Sequence, residues 1–164
     1  MTRKRGITKI AGSSKILIPI GDLVSRELIT RALHLLSAFK DSPIVLLHVI
    51  EVPSRTATLE TEPYLNEIHE AEKRIGDLSQ WLTHQGLSVR SKVAVARSVA
   101  DGILTETEND TYMIVFLMKR RIYGGWKRLF NRSVSERVIR SANCLVMTAP
   151  LEQLTGHVDK SSKH

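Results

Sequence analysis

The apolar residues of this chain fall into five short runs, and longer stretches with a helical hydrophobic pattern separate them. Continuous apolar runs of this length are typical of buried β-strands, whereas apolar residues spaced three and four apart indicate amphipathic helices. Strands are predicted over residues 16–20, 44–50, 87–95, 113–118 and 144–148, and helices over 23–39, 64–85, 98–109 and from 133 onward. Strands that alternate with helices in this way predict βαβ units and a mostly parallel sheet.

Individual residues predict the position of some of these elements in the sheet and the ends of others. In the third strand, valines at alternate positions face one side and basic residues the other, which predicts a half-buried strand near a sheet edge. These residues are Val89, Val93 and Val95 against Arg90 and Lys92. Pro19 cannot donate to a ladder and is expected at an edge or a bulge. Gly86 ends the long helix, and Ser133 with Glu136 forms a capping-box pattern before a buried face. That face is expected to contain Val134, Val138 and Ala142.

The composition is that of one globular domain. The chain has 164 residues, of which 42% are hydrophobic and 25% charged, so a single domain is expected over residues 15–150. A flexible basic segment is expected at 1–14 and a polar tail at 151–164. No apolar run reaches the ~20 residues of a membrane span, and no hydrophobic stretch of signal-peptide length follows the basic residues at the start of the chain. The single cysteine, Cys144, cannot form an internal disulfide, so we predict a cytoplasmic protein.

The positive charge is concentrated in one segment. The net charge of +7 favours anionic partners of several kinds without choosing among them. Between Lys119 and Arg140 there are eight basic residues and one acidic residue, Glu136, so this segment alone matches the net charge of the chain. Parallel sheets bind ligands beyond the carboxyl ends of strands where the winding direction reverses. The loops after the first, second and fourth strands are therefore the candidate site.

Four segments resemble the universal stress protein family. KILIPI at 15–20, VLLHVI at 45–50 and MIVFLM at 113–118 are similar to strands of that family, and SVSERVIRSANCLV at 133–146 is similar to its closing helix and strand. The resemblance covers roughly residues 15 to 150. It implies an α/β fold of the Rossmann-like, adenine-nucleotide alpha hydrolase-like type, with a five-stranded, mostly parallel sheet of order 3-2-1-4-5 between helices. It also implies a homodimer joined along the last strand, from Cys144 to Thr148.

The resemblance further implies a ligand site. Many members bind ATP or AMP through a closing motif, G-x2-G-x9-G-[S/T], and an aspartate just after the first strand, while some bind no nucleotide. The residues expected to contact a ligand are family pocket positions together with basic side chains of the same loop. They are Pro19, Ile20, Asp22, Val49, Met118, Lys119, Arg120, Arg121, Arg132, Ser133 and Val134.

This chain departs from that motif. The three motif glycines fall on Lys119, Ile122 and Arg132. The aspartate position falls on Gly21, and Asp22 follows it. Because a β-branched residue disfavours the positive φ that glycine permits, the usual cradle of backbone amides is not expected here. Guanidinium groups could hold a phosphate instead, and the helix that starts after Ser133 attracts anions by itself.

The predicted function is a non-enzymatic, dimeric regulatory or stress-response domain that binds an adenine nucleotide or another phosphate-bearing ligand in an altered way. ATP, AMP and cyclic di-AMP are the candidate ligands. The alternative is a nucleotide-free protein-interaction module, similar to family domains attached to transporters, which the missing glycines favour. Nucleic-acid binding would rest on charge alone, because aromatic residues make up only 5% of the chain and no recognition module is visible.

No catalytic residue, metal site or certain cofactor is predicted. The sequence contains no phosphate-binding loop of the Gly-x4-Gly-Lys-[Ser/Thr] type, no Cys and His metal spacing and no nucleophile elbow. His48 lies in an apolar strand and is expected to be a packed, hydrogen-bonded histidine. Cys144 is expected to pack at the start of the last strand.

Overall fold

The computed structural model describes residues 15–21, 24–39, 41–52, 62–119 and 134–150. Its five strands are β1 (Ile16–Pro19), β2 (Ile44–Glu51), β3 (Val89–Ala96), β4 (Ile114–Lys119) and β5 (Leu145–Pro150). Its four α-helices are α1 (Arg26–Leu35), α2 (Leu65–His84), α3 (Val99–Asn109) and α4 (Val134–Ser141). Short 3-10 turns lie at Ser37–Phe39 and Glu62–Tyr64.

The strands form one parallel sheet in the order β3-β2-β1-β4-β5. This confirms the predicted fold class and strand order. β3 and β5 are the edges, and the prediction that β3 is a half-buried strand near an edge is confirmed.

The core lies on both faces of the sheet, because successive side chains of a strand point to opposite faces. One face packs against α1 and α2 through Ile16, Ile18, Leu46, Ile114 and Phe116. The other face packs against α3 and α4 through Leu17, Val45, Leu47, Val115 and Leu117. Helices on both faces explain why the central strands are continuous apolar runs without polar alternation.

Serine and glycine residues set the helix ends. Ser25 caps α1 by accepting a hydrogen bond from the Leu28 amide at 3.2 Å, and Ser98 caps α3 by accepting one from the Asp101 amide at 3.1 Å. After α2 the chain turns at Gly86, whose φ of 86° is the left-handed conformation that glycine adopts most readily.

Several predicted boundaries and faces are wrong in detail. Helix α1 starts at Arg26 because Ser25 caps it there, and it ends at Leu35 rather than at Phe39. Val134 was expected on the buried face of α4, but it is 39% exposed; the buried face passes through Ser135 and Val138, which lie one turn apart. The capping residue predicted at 133 lies outside the described residues.

Candidate functional site

The sheet opens between β1 and β4, where the strand order reverses. These two strands pair at only two positions, Ile16 with Ile114 and Leu17 with Val115. Beyond them β4 continues to Lys119 in register with β5, while β1 continues beside β2. The separation lies at the carboxyl ends of the strands, where parallel sheets bind ligands, so the space between β1 and β4 is the candidate crevice.

Pro19 lies at this separation, in a central strand rather than at the expected edge. The amides of Ile16 and Ile20 donate to carbonyls on the β2 side, at 2.9 and 2.8 Å. Because successive amides of a strand point to opposite neighbours, the nitrogen at position 19 faces β4. Proline has no N–H to donate, so Pro19 cannot form a ladder hydrogen bond to β4. The hydrogen bonds between β1 and β2 are not affected. The proline therefore contributes to the opening.

Ile20 and Gly21 follow β1 directly and border the candidate crevice on that side. Ile20 is buried, and its carbonyl oxygen lies 3.0 Å from Nδ1 of His48. Gly21 is exposed, and a Cβ placed on it would meet nothing within 4 Å. The position where the family carries an aspartate is thus open space with no side chain.

Val49 and Met118 lie on the β2 and β4 sides of the site. The Val49 side chain is buried against α3, because a Cβ on Gly102 would come within 2.6 Å of its Cγ1. A ligand in the crevice would therefore meet the Val49 backbone. Met118 is half-buried and packs towards the α1 and α2 face. Lys119 is the last residue of β4, in register with Pro150.

The amino end of α4 approaches the site from the other side and is held by α3. Arg137 forms an ion pair with Asp101, and its Nη1 donates to Ser98 Oγ at 3.1 Å. Ser98 Oγ in turn donates to the other carboxylate oxygen of Asp101 at 2.6 Å. Val134, the first residue of α4, is exposed at this end.

The other predicted ligand-binding residues lie outside the described residues. They are Asp22, Arg120, Arg121, Arg132 and Ser133.

His48 and Cys144 occupy the packed positions that were predicted. His48 is only 7% exposed. Because a carbonyl can only accept, His48 Nδ1 donates to the Ile20 carbonyl oxygen, and its Nε2 lies 3.5 Å from Nη2 of Arg74. Cys144 is half-buried just before β5, and burial raises the pKa of its thiol, which disfavours a reactive thiolate.

A cavity that the sequence did not predict lies beside α2, next to the residues that follow β1. It has a volume of about 250 Å³. It is lined by Ile20, Gly21, Val24, Arg26, Arg74, Ile75, Asp77 and Leu78. Its arginines lie on two different helices, far apart in the chain, so neither hydrophobic periodicity nor a motif marks them.

The described ranges contain neither a metal-ligand cluster nor a membrane-spanning helix. No three side chains of His, Cys, Asp or Glu come together there as metal ligands. No helix in that part of the chain combines the length and the apolar character that a membrane crossing requires.

The strand order β3-β2-β1-β4-β5 with helices on both faces defines a Rossmann-like α/β architecture, and the sequence assigns the family. The chain belongs to the universal stress protein family, whose sequence model matches residues 12–150. This confirms the resemblance seen in the strand segments and the closing helix. No curated protein sequence matches the chain.

Solved structures show the same fold. The hypothetical protein MJ0577 is 26% identical, with a TM-score of 0.58 and coverage of 84% of this chain and 95% of that one. UspA from Lactobacillus plantarum is 16% identical, with a TM-score of 0.59 and coverage of 84% and 98%. A universal stress protein from Archaeoglobus fulgidus, solved in complex with dAMP, is 17% identical, with a TM-score of 0.56 and coverage of 82% and 95%.

Proposed function

We propose that this protein is a non-enzymatic regulatory domain that binds an adenine nucleotide, or a related phosphate-bearing molecule, in the crevice between β1 and β4. The observation that carries the proposal is the separation of these strands after Leu17, with open space at Gly21, in a chain of the universal stress protein family. Family structures with bound nucleotide support it: the Archaeoglobus fulgidus protein holds dAMP, and another member, 12% identical with a TM-score of 0.53, holds cAMP.

The ligand contacts follow from the positions around the crevice. The backbone of Pro19, Ile20 and Val49 would border the base and sugar. The basic loop after β4 and the amino end of α4 would hold the phosphates, through Arg132, Ser133 and Val134. Because guanidinium groups bind phosphate through paired N–H donors, they can replace the backbone amides of a glycine-rich motif.

Substitution of Gly21 tests this assignment at one position. The backbone of Gly21 does not need glycine, because its φ lies outside the positive range and a Cβ has room, so substitutions there should leave folding unchanged. Gly21→Asp restores the family carboxylate and should bind an adenine nucleotide roughly tenfold to a hundredfold more tightly, because a hydrogen bond to a charged group stabilises by roughly 1.5–3 kcal/mol. Isothermal titration of ATP, AMP, dAMP, cAMP and cyclic di-AMP measures this.

Gly21→Val is the matched control, because it adds bulk at the same point without a hydrogen-bonding group. It should weaken binding or leave it unchanged. If neither the natural chain nor Gly21→Asp binds any of these nucleotides, the proposal fails and the nucleotide-free interaction module becomes the better description.

We also propose that two copies associate along β5. It is an edge strand, and Leu145 at its start is 59% exposed. The Leu145 amide donates to the Met113 carbonyl at 3.2 Å, so the amides of Val146 and Thr148 point away from β4. Such outward amides are able to pair with a second strand.

A further inference from the structure

A network of three side chains joins the amino ends of α3 and α4. Ser98 caps α3, Asp101 lies in the first turn of α3, and Arg137 is the fourth residue of α4. Arg137 Nη2 forms an ion pair with Asp101 Oδ1, and Arg137 Nη1 donates to Ser98 Oγ at 3.1 Å. Ser98 Oγ donates to the other carboxylate oxygen, Asp101 Oδ2, at 2.6 Å. The three side chains therefore form a closed ring of contacts between the two helices.

This network fixes an orientation and contributes little to folding. The side chains of Asp101 and Arg137 are 36% and 47% exposed, and an ion pair this exposed stabilises a protein only slightly. Val138, which is fully buried in the core on this face of the sheet, anchors α4. Apolar burial has no preferred direction, whereas an arginine that binds a carboxylate and a hydroxyl through two nitrogens has one. The network therefore sets the rotation of α4 about its anchor.

The carboxyl end of α4 is tied to α3 by a different contact. Asn143, which follows α4, donates from Nδ2 to the Thr107 carbonyl at 3.3 Å. Loss of the network would leave α4 attached through Val138 and Asn143. Only its amino end would then be able to shift.

The direction of this amino end matters for a bound anion. The amides and the dipole of a helix amino terminus attract anions, and this effect falls off within the first turn. Hydrogen bonds also weaken steeply when the donor is misaligned. A small rotation of α4 would therefore change its contacts with a phosphate, and it would leave the contacts of a base or sugar with β1 and β2 unchanged.

We propose that Asp101 is a positioning residue for the phosphate part of the nucleotide site. Through Arg137 it orients the amino end of α4 without touching the ligand. The inference rests on the proposed function, in which α4 holds the phosphates and the base and sugar lie beside β1 and β2. Charge alone predicts the opposite effect: removal of a carboxylate near an anion should strengthen binding, whereas loss of the helix orientation should weaken it.

Isothermal titration of the full chain with AMP and with adenosine tests the proposal. Asp101→Asn keeps the size of the side chain and removes the ion pair. It should weaken AMP binding roughly threefold to thirtyfold and leave adenosine binding unchanged. Asp101→Glu keeps the carboxylate and should restore most of the affinity for AMP. Equal weakening of AMP and adenosine by Asp101→Asn would overturn the proposal, because it would indicate a general loss of structure.

Arg140→Gln is the matched control for Arg137→Gln. It removes the same charge from the same helix, and Arg140 pairs with Glu136 within α4. Arg137→Gln should weaken AMP binding as much as Asp101→Asn does, and the double variant should bind no more weakly than either single variant. Arg140→Gln should leave AMP binding unchanged.

Two results would overturn the inference and leave the proposed function standing. One is AMP binding by Asp101→Asn that equals or exceeds that of the natural chain. The other is equal weakening by Arg140→Gln and Arg137→Gln, since binding would then follow net charge alone. If the natural chain binds neither AMP nor adenosine, the proposed function fails and this inference fails with it.

Discussion

Tyr112 is part of a buried polar group at the amino ends of the strands. Its hydroxyl donates to the Glu106 carboxylate, both residues are buried, and Lys92 donates to the two oxygens of Glu106 at 2.7 Å. Burial, together with the hydrogen bond to Glu106, raises the pKa of Tyr112 far above its ordinary value. The sequence placed Lys92 on a solvated strand face and gave no sign that it reaches a buried carboxylate on α3.

We expect Tyr112→Phe to destabilise the protein by about 1–3 kcal/mol at neutral pH, because it removes a hydrogen bond to a charged acceptor. The folded state keeps the phenol protonated, whereas the unfolded chain loses that proton above pH ~10. The stability from the raised pKa is therefore complete below pH ~10 and is lost as pH rises above it.

Urea unfolding at a series of pH values from 7 to 11 measures both effects. The gap in stability between the natural chain and Tyr112→Phe should narrow above pH ~10. A gap that stays constant over this range would show that the phenol does not titrate differently in the folded state.

At the scale of elements, strands and helices could be predicted because their signals are local. Continuous apolar runs marked the strands, alternating valines marked an edge, and Gly86 marked the end of α2. Helix faces were harder: Leu35 and Leu65 belong to apolar stripes yet are more than half exposed, because each lies near an end of its helix. Whether a helix end reaches beyond the sheet depends on tertiary placement, which periodicity does not contain.

Long-range contacts of the candidate site were beyond prediction for the same reason. The direction in which the Pro19 nitrogen faces depends on which neighbours β1 acquires, and the cavity rim combines Arg26 of α1 with Arg74 of α2. By contrast, the point where the winding direction reverses could be predicted, because the strand order 3-2-1-4-5 implied by the family resemblance places it between β1 and β4.

The docking of α3 on β2 depends on one glycine. A Cβ at Gly102 would lie 2.6 and 2.8 Å from the two γ-carbons of Val49 and 3.3 Å from the Cβ of Ala96. A β-branched valine in a strand has little rotamer freedom with which to move aside. Overpacking costs about 1–3 kcal/mol, whereas alanine gains about 1 kcal/mol of helix propensity over glycine. The cost of the clash with Val49 is therefore larger than the gain in helix propensity.

Gly102→Ala should therefore destabilise the protein by about 1–2 kcal/mol. In a Val49→Ala background, where the clashing carbons are gone, the same change should be neutral or stabilising. Urea unfolding of the two single variants and the double variant gives the coupling energy. Additive effects would mean that α3 is free to shift away from the sheet.

At the scale of the whole molecule, the two edges of the sheet differ in their side chains. The opposite edge, β3, carries exposed Arg90 and Lys92, and charged side chains protect an edge from pairing. Over Leu145–Pro150, β5 has no charged residue, and it combines an exposed Leu145 with outward amides at Val146 and Thr148. This asymmetry favours a two-fold dimer through β5 over association through β3.

Thr148→Pro removes one of these outward amides without removing a bond to β4. In a two-fold dimer each substitution acts twice, so about 1–3 kcal/mol of association should be lost and the dimer dissociation constant should rise roughly tenfold to a hundredfold. Sedimentation equilibrium over a range of concentrations measures this shift. Thr148→Val, which keeps the amide, should dimerise as the natural chain does, and Met147→Pro, whose amide points to β4, should lower the unfolding temperature instead. If Thr148→Pro dimerised with an unchanged dissociation constant, the interface would lie elsewhere on the molecule, because a strand that pairs with β5 would lose the hydrogen bond from this amide.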